Sequence, residues 1–386
     1  MAVERTLYTP EAEQLLELTG EIVDKELAPR ASQDEEEGVF PREVFRVLGA
    51  AGLLGLPYPG EYGGGEQPYE VYLQVVEELA RGWLAVGLGV SVHTLSCYPV
   101  AAFGSEEQKA AHLPGMLGGD LLGAYCLSET TSGSDAAALT TRAERVDGGG
   151  YRVNGAKAWI THGGEADYYS VFARTGAPDS GARGISCLHV PDGTPGLGSA
   201  PPERKMGMRS SPTAAVLLDD VRLGPDALIG EEGKGFGIAL SALDSGRLGI
   251  AACAVGVAQA ALDAAVAYSR ERRQFGSAIG DFQGVGFMLA DMATQIAASR
   301  ALYLSAARLR DAGRPFGRQA AMAKLMATDT AMRVTTDAVQ VFGGYGYTRD
   351  FPVERYMREA KVLQIVEGTN QVQRLVISRH LACEGN

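Results

Sequence analysis

The spacing of apolar and polar positions divides the chain into three stretches. In residues 1 to about 120 apolar residues recur at helical intervals. Leu15, Leu18, Ile22 and Leu27 mark one stripe, and Glu70 to Gly82 predicts a further helix. Between them, PYPGEYGGGEQP (Pro57–Pro68) is too dense in Gly and Pro for regular structure. SEEQK after Gly104 predicts a helix start, with Ser105 as N-cap and acidic residues in the first turn. From about Leu121 to Gly224 the period falls to two. ALTTRAERV, the turn at Asp147–Gly150 and YRVNGAKAWI predict a hairpin. YYSVFART (Tyr168–Thr175), GISCLHV (Gly184–Val190) and TAAVLLDDVRL (Thr213–Leu223) predict further strands, which suggests a small antiparallel barrel or sandwich. From Gly235 onward three long Ala-rich segments run from about Phe236 to Arg273, Val285 to Asp311 and Phe316 to Phe342. Met288, Met292 and Ile296 fall four apart on the second, and the links are short, so these segments predict an antiparallel helical bundle. The fold expected is α+β in three parts. An N-terminal all-α domain spans 1–120, a middle antiparallel β-barrel or sandwich domain 121–225, and a C-terminal helical bundle 226–386.

Composition narrows the class. At 386 residues the chain is long enough for two or three domains. With 46% apolar and 21% charged residues it has the profile of a soluble globular protein, not of collagen, a disordered tail or a membrane bundle. No apolar run approaches the ~18–20 residues of a bilayer span; the best, near Ala85 and Ile250, reach about half of that. MAVERTLYTPEAEQ has no apolar core of a secretory leader. Cys97, Cys126, Cys187, Cys253 and Cys383 are odd in number and form no CxxC pair. They are expected to be reduced thiols of a cytoplasmic protein, with neither disulfides nor zinc. Residues 1–225 hold 17 basic and 31 acidic side chains, and residues 226–386 hold 18 and 16. That balance argues against a nucleic-acid surface, which needs clustered Lys and Arg. It leaves room for local basic pockets that bind a phosphorylated small molecule.

Several segments could carry chemistry. In QIVEGTNQVQRLVISRH (Gln364–His380) the carboxylate of Glu367 precedes a flexible Gly368, and a helix begins near Thr369 or Asn370. Glu367 is either a general base beside a helix start or a charged residue at a turn; burial would raise its pKa and the helix dipole would lower it. AYCLSETTSGSDAAAL (Ala124–Leu139) is either a cradle of hydroxyls and backbone N–H groups for an anion or a Ser/Thr-rich surface loop. It is no dinucleotide fingerprint, because GxGxxG is absent. KAWITHG (Lys157–Gly163) puts Trp159 and Thr161 on one face of a strand, either against a flat heteroaromatic ring or with the indole in the core. SRERRQFG (Ser269–Gly276) ends a helix with arginines that complement the dipole or clamp a pyrophosphate. VFGGYGYTRD (Val341–Asp350) is a helix C-cap or a bare backbone under a ligand, and Asp244 and Arg247 are three apart on a helix face. The five histidines form no metal pattern, and no GxSxG elbow or P-loop is present.

In this order YCLSETTSGSD, KAWITHG, LDSGRLGIA, ERRQFG, DAVQVFGGYGY, FPVERYMREAK and IVEGTNQVQRL resemble the acyl-CoA dehydrogenase family, over nearly the whole chain. The resemblance implies FAD held between the β domain and a C-terminal four-helix bundle, with a neighbouring subunit contributing. Tyr125, Leu127, Ser128 and Ser134 would line the flavin, and Trp159, Ile160 and Thr161 would flank the isoalloxazine. Arg272, Gln274, Phe275 and Gln283 would reach the pyrophosphate and adenine half across a dimer interface. Gln340, Gly343 and Gly344 would cover the adenosine end, and Thr369 and Gln371 would complete the site. Ser134, Asp244, Arg247 and Gly368 would touch an acyl-CoA substrate of short or branched chain. Glu367 would take the α-proton while the β-hydrogen leaves as hydride to flavin N5, giving a trans-2-enoyl-CoA and passing electrons to an electron-transfer flavoprotein. A homotetramer built as two dimers, with no nucleic acid or membrane partner, is implied. The same fold also serves flavin oxidases and monooxygenases, acyl-carrier-protein substrates, and a non-catalytic DNA-associated branch. Departures from the family pattern are Val366 where Tyr is common, Thr130 and Thr131 in place of a Pro-containing turn, Ser128 for Thr, and His162 for Asn. Position 246, where some branches keep their base, is Gly.

Overall fold

The structure, a computed structural model, describes residue 3 and residues 5–383; the side chain of Cys383, one of the expected thiols, lies outside the described residues. Helix α1 (Pro10–Ile22) starts at Thr9, whose hydroxyl accepts the Ala12 N–H, with Pro10 at the first helical position. It turns Ala12, Leu16, Thr19 and Ile22 inward, while Leu18 is exposed, so the apolar stripe runs through Leu16 and not Leu18. The five-residue step from Ile22 to Leu27 is met by a π-helical turn over Val23–Leu27, whose wider period brings both ends inward. Short helices α2 (Ala31–Glu37) and α3 (Arg42–Ala50) lead to α4 (Tyr69–Gly82) and α5 (Leu84–Phe103). Helix α6 (Glu106–Leu117) begins on the expected cap: Ser105 accepts the Gln108 N–H, and the Gln108 side chain accepts the Ser105 N–H.

Strands β1 (Gly123–Cys126), β2 (Arg142–Arg145), β3 (Tyr151–Thr161), β4 (Tyr168–Arg174), β5 (Ile185–Pro191), β6 (Leu197–Ser199), β7 (Thr213–Leu223) and β8 (Leu228–Ile229) form one eight-stranded sheet. The order is β6-β7-β3-β2-β4-β5-β8, with β1 on β4. β2 and β3 make the expected hairpin. Two pairings depart from the antiparallel expectation: β1 lies parallel to β4, and β2 meets β4 in parallel at Arg142 and Arg174. A parallel pair needs a long crossover, and the intervening hairpin supplies it. Val153, Ile160, Val171, Leu188, Val216 and Leu218 fill the sheet's core.

Helix α7 (Gly235–Glu271) is followed by a small hairpin, β9 (Arg273–Gln274) and β10 (Ser277–Ala278), then α8 (Gln283–Asp311), α9 (Gly317–Phe342), α10 (Val353–Leu363) and α11 (Asn370–Cys383). On α8 Met292 and Ile296 are buried and Met288 packs half-buried beside them, as their spacing predicts. α7 packs against α4 and α5 as well as α8 and α9, so the first and third stretches share one apolar core. By length and composition α5 and α7 could each cross a membrane, so the chain's apolar stretches are longer than its uninterrupted runs suggest. In their most apolar windows 83% and 78% of the residues are buried inside the protein. α7 is the axis of the molecule, and the residues of interest lie along it.

Candidate active site

The turn between α10 and α11 is shaped by two successive left-handed residues, Glu367 at φ 51° and Gly368 at φ 88°. Glycine adopts this conformation freely; a glutamate is held in it only by its surroundings. Gln373 Nε2 donates to the carbonyls of Glu367 (3.2 Å) and Gly368 (2.9 Å), and Lys324 Nζ donates to the Gly368 carbonyl (2.9 Å). Thr369 caps α11, its hydroxyl accepting the Val372 N–H. This turn directs the Glu367 side chain inward over Gly246 of α7. A Cβ at residue 246 would lie 2.2 Å from Glu367 Oε2, so any larger residue there would push the carboxylate aside. Both carboxylate oxygens are buried without a hydrogen-bond partner. Burial pushes the Glu367 carboxyl up to about 7, against the pull of Lys324 and Arg247. Among the described residues no group accepts the Glu367 N–H.

Flanking Gly246 on α7, Arg247 Nη1 and Asp244 Oδ1 form the expected ion pair at 2.5 Å. Arg247 is nearly buried, and its Nε has no partner. Buried polar atoms are seldom left unpaired, and here two carboxylate oxygens and a guanidinium N–H keep acceptor and donor capacity that a ligand could use. Behind Gly246 runs a narrow slot lined by Tyr69, Thr94, Leu95, Tyr98, Ala242 and Arg310, with free space of about 10 Å³. Its wall is rigid. Tyr69 donates to the Ser245 carbonyl (3.0 Å), the Arg310 guanidinium lies 3.8 Å over the Tyr69 ring, and Arg310 Nε donates to Ser245 Oγ (3.1 Å).

On the sheet side, Tyr125 of β1 donates to the Ala239 carbonyl of α7 (3.2 Å). Leu127 is buried, and its carbonyl accepts from Lys157 Nζ (3.2 Å), which also pairs with Glu129 at 2.8 Å. Glu129 accepts the Thr140 and Thr141 N–H groups as well. Although burial opposes ionisation, the Lys157 charge and these bonds pull its carboxyl down to about 2. The Ala158 N–H donates to the Ser128 carbonyl, so the KAW strand clamps the YCLSE segment. The register of β3 slips between Lys157 and Ile160, where Trp159 has φ 57° and stands 54% exposed. The core reading of this indole is therefore excluded. Ile160 turns into the sheet core, which leaves only its backbone for the site, while Thr161 is half-buried and Ser134 exposed.

The remaining candidates lie elsewhere. Arg272 and Gln274 line a groove of about 460 Å³ together with Gly343 and Gly344. Phe275 is 96% exposed beside it, and Gln283 and Gln340 are exposed at the nearby ends of α8 and α9. Gly246 and Arg272 are some 26 residues apart along α7, roughly 39 Å. Thus Tyr125, Asp244, Arg247, Glu367, Gly368 and Thr369 gather at one place, with Gln371 exposed on the first turn of α11, and the Arg272 group gathers at another. A wider groove of about 550 Å³, lined by opposed charges including Glu35, Arg209 and Arg358, contains neither set. Sequence reading missed Lys324, Gln373, Tyr69 and Arg310, and saw in Asn370 only a helix start, because their roles depend on contacts between distant elements. The one available signal was a lone cation in the Ala-rich AAMAKLMA of α9.

Comparison with known proteins agrees along the whole chain. The models of the acyl-CoA dehydrogenase N-terminal, middle and C-terminal domains match residues 9–120, 124–221 and 233–382. The acyl-CoA dehydrogenase of Bacillus subtilis (strain 168) is 45% identical over 374 residues, covering 97% of this chain and 98% of its own. The structure of butyryl-CoA dehydrogenase from Megasphaera elsdenii matches with a TM-score of 0.96 at 42% identity, covering 98% of this chain and 100% of that one. A chain from work on the electron transferring flavoprotein of Acidaminococcus fermentans matches with a TM-score of 0.95 at 44% identity, covering 98% and 99%. The fold, the order of motifs and these matches together make the chain a member of the acyl-CoA dehydrogenase family, and an oxidoreductase.

Proposed function

We propose that this chain desaturates a short-chain acyl-CoA thioester to the trans-2-enoyl-CoA, with Glu367 as base and FAD as redox cofactor. The observation that carries the reading is the Glu367 carboxylate, buried, unbonded and held near neutral pKa, where a base works best. Its free backbone N–H suits the thioester carbonyl, and polarising that carbonyl acidifies the α-carbon. Glu367 then accepts the α-proton and becomes neutral, while the β-hydrogen departs with its electron pair. FAD, when bound, supplies the acceptor for that hydride and holds the two electrons until a partner removes them. Ser134, Asp244, Arg247 and Gly368 are the residues we assign to the substrate.

The flavin half of the cofactor is assigned to Tyr125, Leu127, Ser128, Ser134, the Trp159–Thr161 strand, Thr369 and Gln371. Arg272, Gln274, Phe275, Gln283, Gln340, Gly343 and Gly344 are too far along α7 to reach the same molecule. We assign them to the pyrophosphate and adenosine half of the cofactor in a second copy, and read the assembly as two such dimers. The likeness to a chain from electron transferring flavoprotein work supports a flavoprotein electron acceptor. The free, buried Cys97, Cys126, Cys187 and Cys253 suit a cytoplasmic setting.

Two outcomes test this reading. In turnover with a dye acceptor, butyryl-CoA is expected to be the better substrate. The space behind Gly246 is nearly filled by side chains, so an octanoyl chain must displace more of them than a butyryl chain, and kcat/KM should fall at least about tenfold by octanoyl-CoA. Equal rates across the series would refute a short slot, and fast peroxide release in air would instead indicate an oxidase. Gly246→Ala places a methyl group against the carboxylate and displaces the base. It is expected to slow substrate reduction about 10²-fold with cofactor content unchanged, as read by anaerobic rapid mixing.

A further inference from the structure

We propose that Lys324 of α9 is a positioning residue for the base, holding the left-handed turn by the Gly368 carbonyl and keeping the neighbouring Glu367 ionisable. The inference rests on the function proposed above. Lys324 is fully buried, and its ammonium donates to two neutral oxygens, Gly368 O and Asn370 Oδ1, each at 2.9 Å. The orientation of Asn370 is set by its other end. Its Nδ2 donates to the carboxylate of Asp329 (2.7 Å) and to Thr328 Oγ1 (2.9 Å), so Oδ1 must face the lysine. A buried ammonium is costly unless an anion balances it. The anions that act on this one, Glu367 and Asp329, do so without contact, and burial still pulls Lys324 down to about 8.

The groups that feel the charge of Glu367, or act on it, come from four elements: Lys324 from α9, Arg247 and Cys253 from α7, Tyr69 and Tyr72 from α4, and Tyr125 from β1. Burial raises the pKa of the tyrosines and of Cys253, which keeps them uncharged. The field at the base is therefore set by two cations. Arg247 shares its charge at contact distance with Asp244, whereas among the described residues Lys324 donates to neutral oxygens alone. Lys324 shares with Gln373 the carbonyl next to the base, so this one side chain acts on both the position and the acidity of Glu367.

The test uses the FAD-loaded protein and two readouts. One is the pH dependence of flavin bleaching by butyryl-CoA under anaerobic conditions. The other is an infrared titration of the Glu367 carboxyl without substrate, assigned by its disappearance in Glu367→Gln. Lys324→Gln keeps a donor and loses the charge. Asn370→Asp keeps the lysine and sets a carboxylate against it. Both are expected to move the bleaching limb and the infrared titration upward by about one pH unit. Lys324→Arg, which keeps the charge, should leave both near wild type. Unchanged titrations in Lys324→Gln and Asn370→Asp would overturn the inference. A wild type that butyryl-CoA does not bleach would overturn the proposed function instead, and the infrared titration would still read the effect of Lys324.

Discussion

Glu367→Gln is expected to give a folded, yellow protein that butyryl-CoA reduces at least about 10²–10⁴-fold more slowly than wild type. The substitution keeps size and shape, and the carboxylate it replaces makes no hydrogen bond that the fold would miss. The amide cannot accept the α-proton, so the loss falls on the chemical step and not on binding. The same assignment sets the pH dependence of the wild type. Below about 7 the Glu367 carboxyl is protonated and cannot act as base, so reduction should rise as pH increases through that value and then level off. A flat acid limb, or full-speed reduction in Glu367→Gln, would remove Glu367 from the mechanism.

A mixture of two inactive variants is expected to regain activity. Arg272→Glu reverses the charge at the groove that holds Arg272, Gln274, Gly343 and Gly344, and should abolish cofactor retention when every copy carries it. Glu367→Gln leaves that groove intact but lacks the base. If each cofactor is held by the Glu367 end of one copy and the Arg272 end of another, a mixed dimer contains one complete site. Equal co-expression should then restore about a quarter of wild-type sites, given random pairing in a twofold dimer. Flavin content and turnover of the purified mixture provide the check. No recovery would mean that both ends serve the same chain, which the length of α7 between them opposes.

Much of the architecture was legible because it is written in local periodicity. The long helices α7, α8 and α9, the β2–β3 hairpin, and the caps at Ser105 and Thr369 all depend on near neighbours in the chain. Glu367 could be singled out because a carboxylate before a glycine at a helix start is a local pattern. What escaped is non-local. The parallel β1–β4 pair joins segments some forty residues apart, and no pattern within either strand announces it. Trp159 alternates correctly with Thr161 in sequence, yet a register slip at that point turns the indole outward. Leu18 and Leu16 are equally apolar, and only the packing surface chooses between them. Lys324 is a lone cation on an Ala-rich helix, and its role emerges only where the start of α11 is brought over it.

The most direct test of the account is a single anaerobic turnover. Wild-type protein reconstituted with FAD should be mixed with an equivalent of butyryl-CoA at a pH above 7, following the visible absorption of the flavin and the acyl product together. The account expects rapid bleaching, formation of one trans-2-enoyl-CoA for each flavin reduced, and slower bleaching when the α-hydrogens are replaced by deuterium. A protein that stays colourless when FAD is supplied, or one that stays yellow and returns the substrate unchanged, would contradict it.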